Sequence, residues 1–179
     1  MTPSTPGLWV TDPAAYRKKL VDLVGSRDPL AVLAETPEVI ERIIQANTAD
    51  VLRTRPFEGK WTPNEIIGHL LDADWVYGYR SRLILSEAEP TLLGMDQDMW
   101  VAAQRHNDCA PATLAHEFRA IREANLRLWR GVQPGDLERF GRHDERGNES
   151  LGMIRAMMVG HDLWHIDQIN RYVEAVASR

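Results

Sequence analysis

The chain has 179 residues, of which 44% are hydrophobic and 26% charged, and a formal net charge of -5 at pH 7. These values fit one globular domain with one core and exclude a disordered chain, which needs fewer apolar residues or a larger charge excess. The acidic balance lacks the basic footprint of a nucleic-acid binder, and the single cysteine, Cys109, excludes an intrachain disulfide and a four-cysteine zinc site.

Residues 1–11, rich in Pro, Thr and Gly, form a loose arm with neither the charged start nor the apolar stretch of a signal peptide. No apolar run nears the roughly 18 residues of a membrane span, so a cytoplasmic protein is expected. Asp12 before Pro13 caps a short helix to about Leu23, with Gly25 as its stop. Asp28-Pro29 and Thr36-Pro37 repeat that start signal. The second predicts a helix to about Leu52, with Val39, Ile43, Ile44 and Val51 near one face. Thr62-Pro63-Asn64-Glu65 is a capping box opening a helix to about Leu85.

Asp96 to Asp108 reads as a loop with a turn of helix. Pro111 opens a third long helix to about Trp129, ended by Pro134-Gly135. Gly141 to Asn148 is a turn or short hairpin, and the last helix runs from near Ser150 to about Ala175. The expected fold is all-α: a four-helix bundle preceded by a short extra helix.

His161 and His165 lie four apart on the last helix, about 6 Å along its axis, and can aim at one point. Ile154, Met157, Met158, Ile169 and Tyr172 fall near the same face, which points it inward. Buried imidazoles need partners, because an unsatisfied polar group costs about 1–3 kcal/mol. A shared metal ion is one solution; separate hydrogen bonds, with three core histidines and no metal, is another. His69 shares its side with Ile66, Ala73 and Val76 and also faces inward. Three histidines from two helices leave a fourth position open, as in catalytic sites, for water or for a thiol bound as thiolate. The chain has no Glu-x-x-His motif of di-iron bundles, and Asp162 stands where a zinc peptidase has Glu.

Around these three, Asp72 and Gln168 each follow a histidine by three residues and are candidates to orient a ring or line the site. Arg80, three turns beyond His69, is a candidate clamp for a substrate carboxylate. His106 and His116, in polar surroundings, are expected to be solvated; His143 lies in a turn and is a candidate to border the pocket, although a turn histidine is more often without a role. Trp61, Trp75, Trp129 and Trp164 are expected to fill core or interface space.

The pattern from Asp28-Pro29-Leu30 to the C-terminus resembles the DinB-like family. The stretches that carry it are Trp61-Thr62-Pro63, Glu65, His69-Leu70-Leu71-Asp72, His143 with Gly147, and His161-Asp162-Leu163-Trp164-His165-Ile166 with Gln168. These are four-helix proteins regarded as metal-dependent enzymes and related to bacillithiol and mycothiol transferases. The resemblance implies that His69, His161 and His165 hold one divalent metal ion, zinc or nickel, and that two copies pair as a homodimer. It further implies a small-molecule substrate and activation of a low-molecular-weight thiol or of water, so thiol S-transfer or hydrolysis. It leaves residues 1–27 aside as an arm and short helix before a domain at 28–179. The rival reading is a non-catalytic metal-binding or stress-related interaction protein, marked by a closed coordination shell. Neither reading involves nucleic acid or membrane.

Overall fold

The computed structural model describes residues 11–179, so the predicted arm lies almost wholly outside the described residues. Helix α1 spans Pro13–Val24, α2 Pro29–Ala46, α3 Ala49–Arg53, α4 Pro63–Ser86, α5 Gln97–Ala103, α6 Pro111–Gly131 and α7 Leu151–Ala177. Single 3-10 turns occupy His106–Asp108 and Pro134–Glu138. Strands β1 Thr91–Leu92, β2 Phe140–His143 and β3 Gly147–Ser150 form one small sheet, β1 parallel to β2 and β2 antiparallel to β3. The hairpin at 140–150 is the one expected; its pairing with β1 is not visible in the local pattern.

The predicted caps set most boundaries. Asp12 accepts from the Ala15 amide at 3.0 Å, and the reciprocal Thr62–Glu65 box opens α4. Ser150 accepts from the Met153 amide at 3.1 Å. The second helix departs from expectation. It starts at Pro29, where Asp28 accepts from the Leu30 amide at 2.8 Å, and runs through Pro37. Thr36 is not a cap there, since its hydroxyl donates to the Val32 carbonyl at 2.9 Å. Proline cannot donate to the carbonyl four residues back. Arg122 supplies the missing donor, its Nη1 reaching the Leu33 carbonyl at 3.0 Å. The helix stops at Ala46 rather than Leu52, and Thr48 caps the separate α3.

Helix α2 packs against α6 and α7, and α4 packs against the same two. Of the successive long helices, α2 and α4 therefore lie across the bundle diagonal, as do α6 and α7, while α4 and α6 lie side by side. The core divides along its length. One apolar cluster gathers Leu33, Ile84, Leu126, Trp129 and Met157, and another gathers Ile40, Ile66, Leu70, Phe118 and Ile169. On α4, α6 and α7 the residues between the clusters are polar and buried: His69, Asp72, Asp74, Arg122, Asn125, His161, Asp162 and His165. A charged and imidazole-rich layer thus cuts the bundle at mid-height.

Candidate metal centre

The centre is built from α4 and α7, which are neighbours in the bundle. His69, His161 and His165 are buried and bring one ring nitrogen each within 4.8 Å of the others. The Nε2 atoms of His69 and His161 are 3.0 Å apart, near the edge of about 3.3 Å expected for a tetrahedron on bonds of about 2.0–2.1 Å. His165 Nδ1 donates to Gln168 Oε1 at 2.9 Å, and Gln168 Nε2 donates to the Tyr172 hydroxyl at 3.0 Å. That chain fixes the His165 tautomer and frees its Nε2 lone pair. Burial keeps all three rings neutral. It holds His161 at about 3, helped by the Arg122 charge, and puts His69 and His165 well below the ordinary value. The His69 Nδ1 atom is buried without a partner. Three neutral donors facing one point, with ring hydrogen bonds satisfying only part of their polarity, fit a divalent cation.

Two glycines bring neighbouring elements close to this point. Each precedes a histidine of the cluster. A Cβ on Gly160 would stand 2.1 Å from the Leu20 carbonyl oxygen, so α1 lies directly on α7. A Cβ on Gly68 would stand 2.2 Å from the His106 ring. His106 is therefore packed on α4 and is 3% exposed, not solvated as its polar sequence neighbours suggested. Its Nε2 pairs with Asp72 Oδ2 at 2.8 Å, and Gln104 donates to the other Asp72 oxygen at 2.8 Å. Asp72 thus holds the turn that follows α5, and among the described residues no hydrogen bond joins it to His69. His116 is exposed, as expected.

Behind His161, Arg122 donates to both oxygens of Asp162, at 2.6 and 3.1 Å, and to Asp74 at 2.6 Å. Asn125 donates to Asp74 at 2.5 Å. The local pattern gave no sign of this buried network; the doubled Gly-His pair was a usable sign of close packing at the histidines.

Trp61 covers the cluster, its ring 4.8 Å from His69 and 6.4 Å from His165. An open cavity of about 400 Å³ reaches His161 and His165 between Tyr16, Lys60, Trp61, Trp164 and Gln168. A second, smaller cavity of about 40 Å³ touches His69 and His161 and is lined also by Tyr16, Tyr77, Arg80 and Arg146. Tyr16 of α1 borders both, although residues 1–27 carried no predicted role. Asp98 lines the open cavity, its carboxyl raised by burial and by Asp96. His143 is buried in β2, held down to about 4 mainly by burial, and lines neither cavity. Trp129 is in the core, as expected, but Trp75 is 59% exposed.

Comparison with known proteins agrees with this architecture. Residues 32–169 match the model of the DinB superfamily. A protein of Oceanobacillus iheyensis, named as a candidate metal-dependent hydrolase, is 24% identical over 137 residues, covering 76% of this chain and 79% of the relative. A protein of Bacillus mycoides named in the same way is 23% identical over 134 residues, 74% of each chain. The structure of YfiT from Bacillus subtilis, described as a probable metal-dependent hydrolase with an unusual four-helix bundle topology, superposes with a TM-score of 0.71 at 19% identity. That match covers 93% of this chain and 91% of YfiT.

Proposed function

The chain belongs to the DinB superfamily, and on that footing we propose that it is a metal-dependent hydrolase of a small molecule, with His69, His161 and His165 holding one divalent cation. The observation that supports this most is the convergence of three buried, neutral imidazoles beside a cavity open to small molecules. Relatives named as candidate metal-dependent hydrolases point the same way. Zinc and nickel both suit imidazole donors. When bound, such a cation supplies a Lewis acid that lets water or a thiol ionise near neutral pH.

The chain's own residues do the rest. Gln168 orients His165, Trp61 shields the rings from bulk water, and Tyr16, Lys60 and Trp164 shape the mouth through which a substrate enters. Asp98, with its raised carboxyl, is placed to exchange protons at that mouth.

Thiol S-transfer with a low-molecular-weight thiol is the second reading, and one observation favours it. The buried acids on the two histidine-bearing helices are engaged: Asp72 with His106, Asp74 and Asp162 with Arg122. A thiol ionises with less help from a base than water does. The open cavity weighs against a purely structural or sequestering metal site.

A cytoplasmic, homodimeric protein belongs to the same proposal. No described helix is long and apolar enough to cross a membrane, and Trp75 and Tyr79 expose apolar surface suited to pairing.

Elemental analysis of protein purified without a histidine tag tests the centre. About one divalent ion per chain is expected in the wild type and none in His161→Ala. Full occupancy in that variant would overturn the assignment. Assays on small esters, amides and electrophiles, with and without added thiol, separate the two reactions.

A further inference from the structure

Among the described residues Arg80 is a buried cation without a counter-ion. It is 5% exposed. Among the described residues its one hydrogen bond is from Nη2 to the Leu93 carbonyl, it forms no ion pair, and its buried Nε–H has no partner. The two acids whose charge reaches it are occupied or solvated. Glu149 accepts from Arg146 Nε and Nη2 at 2.7 and 3.1 Å, and Asp144 is partly exposed and accepts from the Gly94 amide at 3.1 Å. A guanidinium left this way inside a protein is strongly unfavourable unless something anionic comes to it.

The smaller cavity supplies the place. Arg80 lines it together with Tyr16, Tyr77 and Arg146, while His69 and His161 reach it as well. No carboxylate among the described residues lines it. Its volume of about 40 Å³ has room for roughly three water-sized groups, the heavy-atom count of a carboxylate. The Tyr16 and Tyr77 hydroxyls hydrogen-bond to each other and feel the Arg80 charge, which leaves one of their protons to donate to a ligand beside the guanidinium, whose planar fork matches a carboxylate in shape.

We propose that Arg80, flanked by the hydroxyls of Tyr16 and Tyr77, is a carboxylate-binding subsite, and that the substrate is a small carboxylic acid anchored there while its reactive group lies at the three histidines. The second half of this statement rests on the proposed metal-dependent function; the first does not. Arg80 follows His69 by eleven residues on α4, about 16 Å along the axis, and side chains lean back toward a helix's N-terminus. The anchored carboxylate therefore sits several bonds away from the reacting atom. Arg80 acts as a specificity-determining residue, and Tyr16 makes α1 part of the substrate site.

Nuclear magnetic resonance of the arginine Nε–H groups tests the subsite in metal-free protein. The resonance missing from Arg80→Gln should shift saturably with acetate and stay still in chloride at equal ionic strength. No acetate response, or the same response to chloride, overturns the subsite. Arg80→Gln should not lower the thermal midpoint, since it removes an unpaired buried charge; a large drop would mark a structural role instead. Tyr16→Phe, on a different helix, should weaken acetate binding at least threefold, and unchanged binding would remove Tyr16 from the subsite.

The substrate half is read by the visible spectrum of cobalt-loaded protein with 4-mercaptobutyrate and its neutral analogue 4-mercaptobutanol. The acid should bind at least tenfold more tightly, and the advantage should vanish in Arg80→Gln. Equal binding by wild type overturns the substrate class. Failure to take up cobalt at all overturns the metal reading and leaves the acetate result standing.

Discussion

Arg122 and Asp162 form a bidentate pair in the middle of the bundle, one residue beyond His161, with N–O distances of 2.6 and 3.1 Å. The same guanidinium holds Asp74 of α4 and the Leu33 carbonyl of α2, so one side chain of α6 ties all four long helices at the level of the histidines. Burial raises the Asp74 carboxyl while the Arg122 charge opposes that, so the pair holds only as a unit.

Removing Arg122 leaves two buried carboxylates without their cation. Arg122→Met is expected to cost about 3–5 kcal/mol in urea denaturation. Arg119→Met, which breaks a half-exposed pair with Glu41 at 2.7 Å, should cost no more than about 1 kcal/mol. Similar losses in the two variants would show that the Arg122 network is not the keystone of the mid-bundle layer.

Gly160→Ala places a methyl group 2.1 Å from the Leu20 carbonyl oxygen, and main chain cannot step aside as a side chain can. Helix α1 must shift from α7, at a cost of about 1–3 kcal/mol. Faster tryptic cleavage at Arg17, Lys18 and Lys19 is the expected readout, and wild-type resistance would contradict the close packing.

Gln168→Leu removes the acceptor that fixes His165. Metal affinity, measured by competition with a chelator, should fall roughly 10–100-fold with the stoichiometry still reachable at high metal concentration. His165→Ala should lose the stoichiometry itself.

Asp72→Asn should leave the metal content unchanged, because its contacts are His106 and Gln104 and not the ligand rings. It should lower stability by about 1–3 kcal/mol through the weakened buried pair with His106. Loss of metal in this variant would place Asp72 in the centre after all.

Burial depresses the folded-state values of His69, His143, His161 and His165, so between the unfolded and folded values the unfolded chain binds more protons. Stability from these groups is complete above about pH 6.5 and is lost as pH falls, down to about 4 for His143 and about 3 for His161. Urea midpoints of metal-free protein should therefore fall between pH 7 and pH 5. His143→Asn should flatten that fall, and a pH-independent midpoint in wild type would contradict neutral burial of these rings.

Local chemistry made much of the molecule legible in the sequence. Asp12, Thr62, Pro111 and Ser150 mark helix starts through caps and fixed dihedrals that act within a few residues. The four-residue spacing of His161 and His165 placed two rings on one face, the apolar neighbours of His69 turned that ring inward as well, and family resemblance joined the three. Contacts between distant segments decided the rest. Pro37 reads as a helix start until Arg122, 85 positions later, caps the carbonyl that proline leaves free. His106 reads as solvated until Gly68 opens a seat for its ring and Asp72 a partner for its nitrogen. Arg80 meets His69 and Tyr16 at one cavity only because α1 and α4 border the same space. Such pairings depend on which helices become neighbours, and that is set by burial over the whole chain rather than by any local stretch.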